Sequence, residues 1–237
     1  MSSKTGKIAR CPARLPEFCL ELLFPARCPF CDAVLGFSGP CADCAETLRT
    51  AARTPGAPVP AAGHEMQWMD AVYAPYFYES IVQNAILRMK FHGRPDLARP
   101  LAGMMAEALR EAGPFQHMEM IVPVPSGHGE LRSRGYDVPL NLARLLGREL
   151  HMPVTQALTK TCETTRQATL SGEERRRNLH GVFAVRGEGS GCAPVAGRHI
   201  LRVDDVYTTG TTLDECAGAL KAAGAASCTG ICIAAVR

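Results

Sequence analysis

"VDDVYTTGTT", residues 203–212, decides how the rest of the chain is read. Two acids close an apolar run, and four threonines then surround one glycine. Upstream, "HILRVDDV" (199–206) has the composition of a strand. Downstream, "TLDECAGALKAAGA" (212–225) has that of a helix. Thr212 and Glu215 stand at capping-box spacing, and Asp214 and Glu215 suit the positive start of a helix. A capped helix start explains one threonine and two acids, and leaves Thr208, Thr209, Gly210 and Thr211 without a task. A turn with backbone N–H groups, hydroxyls and a helix N-terminus cradles a phosphate. Gly210 permits a positive φ or a close approach to a ligand. Asp204 and Asp205, one step before, suit the vicinal hydroxyls of a ribose, or Mg2+ and its waters. Together these residues describe a ribose 5-phosphate site.

The flanking sequence alternates strands and helices. "DAVYAPYFYES" (70–80) alternates aromatic and small residues, as an antiparallel strand does. "IVQNAILRMKF" (81–91) has helical spacing, and "MIVPVP" (120–125) is a short buried strand closed by prolines. "VPLNLARLLGREL" (138–150) carries a proline in its first turn and sets Leu142, Leu145, Leu146 and Leu150 on one face of a helix. "SCTGICIAAV" (227–236) is an apolar strand. Strand, helix and strand in turn predict an α/β fold on a parallel sheet. In such sheets ligands sit at the carboxyl ends of the strands, where residues 203–212 lie.

Near the N-terminus, "CPFC" (28–31) and "CADC" (41–44) form C-x2-C-x9-C-x2-C. Two such turns close a tetrahedron of thiolates from Cys28, Cys31, Cys41 and Cys44 around a structural Zn. The surrounding prolines and glycines leave a thin local core, and a metal supplies the missing folding energy. A disulfide, free thiols or a redox pair are the alternatives, and Cys11 or Cys19 is a candidate extra ligand. Cys216, Cys228 and Cys232 lie in apolar segments and read as small core residues. "RTAARTPGAPVPAAG" (49–63) reads as a linker. The expected organisation is an N-terminal segment (1–24), a zinc module (25–50), a linker (51–68) and a main domain (69–237).

With 237 residues and a net charge of +3, the chain reads as globular, and its total charge alone names no nucleic-acid partner. No stretch approaches the roughly 20 apolar residues of a membrane span. The start lacks the apolar middle of a secretion signal, so a cytoplasmic location is expected. Basic residues cluster in three places: Lys90, His92 and Arg94; Arg132 and Arg134; and Arg175, Arg176 and Arg177. Jointly they suit an anion such as a pyrophosphate.

"ILRVDDVYTTGTT" resembles the phosphoribosyl-pyrophosphate (PRPP) motif of type I phosphoribosyltransferases: apolar strand, two acids, two apolar positions, then T-T-G-x-T. "LRMKFHGRPDLARPLA" (87–102), "IVPVPSGHGELRSRGYD" (121–137) and "TTRQATLSGEERRRNLHGVF" (164–183) occur in the order seen in the ComF, competence-type phosphoribosyltransferase-like proteins. Those proteins also carry an N-terminal four-cysteine zinc module, so the resemblance runs from about residue 20 to the end. It implies a type I phosphoribosyltransferase domain, Rossmann-like, behind a small zinc-ribbon-like module. It implies PRPP binding by Asp204, Asp205, Thr208, Thr209, Gly210, Thr211 and Thr212, with Mg2+ met by the acids directly, through water or through the ribose. Pyrophosphate falls to the loop after "VPVP" and to the arginine-rich 160–183 loop, with Lys90, Arg94, Arg132, Arg134, Arg166 and Arg175 as candidates. The implied reaction breaks the ribose C1–pyrophosphate bond through an oxocarbenium-like state, where positioning and charge stabilisation matter more than a strong base. The acceptor belongs to a hood formed by residues 69–95 and the zinc module.

A non-catalytic role in handling single-stranded DNA, in sensing nucleotides, or beside competence-machinery proteins is the alternative the family offers. Aromatic residues do not interleave with the basic ones here. Two departures from the family pattern stand out. Arg202 replaces an apolar strand residue, and an arginine there must be paired or snorkel outward. Tyr136, Asp137 and Val138 replace F-N-Q.

Overall fold

The computed structural model describes residues 25–35, 39–60, 66–161, 181–187 and 194–237. Its centre is a parallel sheet of β1 (Ala71–Tyr73), β8 (Ser227–Ile231), β6 (His199–Val203) and β3 (Met120–Pro123), in that order. A second parallel ladder continues it: β2 (Tyr76–Phe77), β9 (Ala234–Ala235) and β7 (Val206–Tyr207). Three neighbouring strands thus break at one level, at Ala74–Pro75, Cys232–Ile233 and Asp204–Asp205. Backbone bonds carry the pairing across the break. Cys232 N donates to Tyr73 O (3.0 Å), Asp204 N to Ile231 O (3.2 Å) and Ile233 N to Asp205 O (3.0 Å). Pro75 has no N–H to lose and fits such a break.

Residues 70–80 do not form an antiparallel strand. Both β1 and β2 pair in parallel, with β8 and β9. The alternation of aromatic and small residues reports the two faces of an edge strand, not the direction of its neighbour.

Helices cover both faces. On one lie α2 (Ser80–Phe91), α3 (Ala98–Ala112) and α5 (Val138–Leu150). Ile86, Met89, Leu101, Met105, Leu142 and Leu146 pack there against Leu201, Val203 and Ile231. Leu97, just before α3, and Leu101, Met105 and Leu109 within it recur every four residues, all buried. On the other face α6 (Thr211–Ala222) lays Leu213, Cys216, Ala217 and Leu220 on Val122, Ile200 and Cys228. Cys216, Cys228 and Cys232 are core residues, as their setting predicts. The short α4 (His128–Arg134) follows β3. An antiparallel ribbon of β4 (Leu158–Lys160) and β5 (Phe183–Val185) leads into and out of the arginine-rich segment. Arg166, Arg175, Arg176 and Arg177, like Cys11 and Cys19, lie outside the described residues.

The four-cysteine turns and α1 (Ala42–Ala51) share the α2 face: Cys28, Phe30, Cys44 and Leu48 belong to the same core as Val82 and Ile86. The proline-rich stretch runs along the sheet edge, where Val59 N donates to Val72 O (2.6 Å) and Arg53 Nη1 to Ala74 O (3.0 Å).

One close approach pins α5 to the β3 edge. A Cβ on Gly147 would stand 2.6 Å from Val154 Cγ2 and 2.8 Å from Met152 O. Gly147→Ala should therefore cost roughly 1–3 kcal/mol of stability. Urea unfolding reads this as a lower midpoint at unchanged slope, and an unmoved midpoint would contradict the contact.

Candidate functional site

The loop after β6 and β7 is built from the break in the strands. Asp204 and Asp205 occupy the break itself, and Asp205 N donates to Asp204 Oδ1 (2.8 Å). Two carboxylates at this spacing disfavour each other's charge. Burial, then the Asp205 charge, push the Asp204 carboxyl up to about 7, with the Asp205 N–H and then Lys90 and Arg202 opposing. Lys90 Nζ lies 2.7 Å from Asp205 Oδ2, with only 19% and 9% of the two side chains exposed. This cation of α2 is therefore placed on the acid pair.

Beyond β7 the chain turns through Thr208 and Thr209 into α6. Gly210 is the N-cap residue, at φ 79°, and the Tyr207 ring stands where its Cβ would be, 2.7 Å away. Any side chain at 210 meets both obstacles. Thr209 Oγ1 and Thr211 Oγ1 are 2.9 Å apart. Thr208 is exposed, Thr209 and Thr212 are half-buried and Thr211 is buried. Because α6 starts at Thr211, Thr212 already lies inside the helix and is not its N-cap. The expected Thr212–Glu215 capping box is absent for that reason. Asp214 has a different task. Its carboxylate accepts the N–H groups of Gln67 (3.0 Å), Trp68 (2.8 Å) and Met69 (3.0 Å), tying the entry to β1 onto α6. A lone acid in a helical first turn carries no sequence signal for partners 145 to 147 residues away.

The loop after β3 lies at the same edge of the sheet. Asp137 caps α5 by accepting from Leu140 N (3.1 Å), and it also accepts from Ser126 Oγ (3.0 Å), so the acid that departs from the family pattern fastens this loop. Arg132 is exposed. Arg134 is turned inward, its guanidinium 5.1 Å from the centre of the half-exposed Phe91 ring and 3.5 Å from Glu130. Lys160, on the β4–β5 ribbon, brings Nζ to 3.7 Å from where a Cβ on Gly127 would stand. Lys160 is a cation at this loop that residue clustering missed, since it lies far along the chain from the other basic groups.

Arg94 and Arg88 face the four-cysteine turns instead. Arg94 meets Asp32 (2.9 Å) and Asp96 (2.8 Å), while Arg88 binds Asp32 and donates to Phe30 O (3.0 Å). Burial opposes ionisation of Asp32, but the two guanidinium groups outweigh it and hold the carboxyl below its usual range. Arg202 does not snorkel, and among the described residues it has no salt-bridge partner within contact distance. It is fully buried, and its three guanidinium nitrogens find no hydrogen-bond partner among the described residues. The Cys216 thiol beside it is a weak acceptor. Burial drives that thiol to about 12, with Arg202 pulling the other way.

The sulfurs of Cys28, Cys31, Cys41 and Cys44 all lie within 4.8 Å of one another, and those of Cys31 and Cys41 are 3.6 Å apart. Tetrahedral sulfurs on metal–sulfur bonds of about 2.3 Å stand about 3.8 Å apart, so the set fits a metal ion. Burial raises the Cys28 thiol, but the N–H groups of Cys41, Cys31 and Phe30 turned to its sulfur outweigh this and bring it to about 6. The neighbouring sulfurs push the Cys31 and Cys44 thiols the other way, upward, so without a cation the set shares its negative charge unevenly.

The raised Asp204 carboxyl has a consequence for stability. Folding tightens its proton, so its contribution is full below about pH 4, the unfolded value, and fades as pH rises through about 7. Asp204→Asn removes the charge and keeps an oxygen for Asp205 N. The variant should gain stability relative to the parent between about pH 5 and pH 8. Unfolding curves across that range that show a constant difference would contradict the assignment.

No protein-family model matches the chain. "DNA utilization protein YhgH" of Escherichia coli O157:H7 is 31% identical over 223 residues, 87% of this chain and 95% of that protein. "Competence protein F" of Haemophilus influenzae is 31% identical over 164 residues, 68% of this chain and 70% of that protein. A solved glutamine PRPP amidotransferase from B. subtilis overlaps 61% of this chain and 30% of its own, at 19% identity and a TM-score of 0.38, too low to carry weight. The parallel α/β sheet, the four-cysteine cluster and 31% identity over 87% and 68% of this chain to these two relatives converge: the chain belongs to the ComF, competence-type phosphoribosyltransferase-like family.

Proposed function

We propose that the chain binds PRPP, or a related phosphoribosyl ligand, at residues 204–212 and transfers the phosphoribosyl group with release of pyrophosphate. One observation carries the reading: the Thr208–Thr212 turn, Gly210 at its pivot, opens α6 at the carboxyl end of β7, with only Val206 and Tyr207 between it and two carboxylates. The N–H groups of this turn and the start of α6 receive the 5-phosphate. Asp204 and Asp205 accept the ribose hydroxyls. Ser126 and Gly127 of the loop after β3, with Lys160 above them, face the pyrophosphate. Arg132 and, from the segment outside the described residues, Arg166 and Arg175 add charge as it leaves. Mg2+, when present on the ligand, neutralises the phosphates. Arg94 and Arg134 are assigned supporting roles, since both are engaged with protein groups. The main domain is taken as residues 69–237 and the metal module as 25–50, with zinc as its ion and a cytoplasmic setting.

Calorimetric titration of PRPP, with and without Mg2+, tests the site. Asp204→Asn with Asp205→Asn should abolish binding while leaving the fold intact, and unchanged heats would refute the assignment. For the module, elemental analysis should find about one zinc per chain. Cys28→Ser should lose that zinc and unfold at a lower temperature, whereas a stable metal-free protein would remove zinc from the account.

A second reading is favoured by the relatives' names, "DNA utilization" and "Competence". Phe91, half-exposed and backed by Arg134, offers one stacking face to a base of single-stranded DNA. Among the described residues no helix is long and apolar enough to cross a membrane.

A further inference from the structure

We infer that Lys90 is the resident counter-ion of the acid pair: its ammonium holds Asp205 in the free protein, so the pair takes up no divalent ion by itself. The inference rests on the reading of residues 203–212 as a phosphoribosyl site and names how that site handles its metal.

Three features carry it. The ion pair is short (2.7 Å) and sheltered at both ends. Its cation is delivered by a fixed element. Two residues earlier on α2, Arg88 donates to Phe30 O and pairs with Asp32 of the four-cysteine turns, so the last turn of the helix is anchored from its other side. The second acid is already committed as well, since Asp204 Oδ1 accepts Asp205 N (2.8 Å). A divalent ion needs several oxygen ligands and no neighbouring cation. At this pair it meets a positive charge within a few ångströms and one carboxylate oxygen turned to the backbone. Ribose hydroxyls are neutral donors, and carboxylates paired with an ammonium accept them without evicting it. The same arrangement therefore excludes the bare ion and admits the sugar. Lysine suits this task better than arginine, because a compact charge on a flexible stem can follow the ligand's oxygens.

The test is Mn2+ binding to the zinc-loaded full-length chain, read as loss of the free-ion signal in electron paramagnetic resonance. The parent protein should leave Mn2+ free. Lys90→Met should gain a site at least roughly tenfold tighter. Adding Asp205→Asn to that variant should abolish the gain, and Lys90→Arg, which keeps the charge, should behave as the parent. Circular dichroism checks each fold, and Lys90→Gln, a neutral donor, replaces the methionine variant if that one unfolds. A parent protein whose Mn2+ site is lost on Asp205→Asn alone, or a neutral Lys90 variant that gains nothing, would overturn the inference. PRPP titrated into the parent protein separates the two claims. Absence of PRPP binding defeats the phosphoribosyl reading, while the Mn2+ comparison still decides what Lys90 does.

Discussion

Two carboxylates placed side by side in a sheltered break of a parallel sheet repel each other and lose water, and the surrounding structure is organised around that cost. The break exists because three neighbouring strands interrupt at one level while backbone bonds bridge the gap. One acid is steadied by the ammonium of Lys90 from α2. The other turns to a backbone N–H and keeps a raised carboxyl. The threonine-rich turn at residues 208–212 then follows without freedom of its own. Gly210 is pressed by Tyr207, and α6 is held by the three N–H groups that Asp214 collects from residues 67–69. Arg202, buried beneath this region and without a hydrogen-bond partner for its guanidinium among the described residues, adds a positive charge that favours the Asp204 carboxylate.

The four-cysteine turns are not an independent appendage. Arg88 and Arg94 converge on Asp32, and Cys28, Phe30 and Leu48 join the core that α2 shares with α3 and α5. The helix that touches the metal module with Arg88 touches the acid pair with Lys90.

Much of this was legible in the residues. The parallel α/β order, the helix at 138–150 and the paired CxxC turns follow from periodicity and spacing. Gly210 read as a glycine that permits a positive φ or a close approach to a ligand, and the backbone there takes the positive φ. What escaped is long-range by nature. The direction of the 70–80 strand depends on which neighbour it meets, and its alternation is the same in either case. The capping box at Thr212 failed because the helix starts one residue earlier, at Thr211, and Asp214 serves three distant amides instead. Lys160 and Lys90 lie 70 residues apart in the sequence, and only the fold sets one over the loop after β3 and the other on Asp205. The helix at 98–112 was within reach of its four-residue leucine and methionine spacing.

The central claim is that residues 203–212 hold a phosphorylated ribose. A crystal structure of the chain with ribose 5-phosphate tests it most directly. The account predicts the 5-phosphate on the N–H groups of residues 208–212 at the start of α6, with the ring hydroxyls on Asp204 and Asp205. A sugar phosphate bound elsewhere, or an unchanged Thr208–Thr212 turn at saturating ligand, would contradict it.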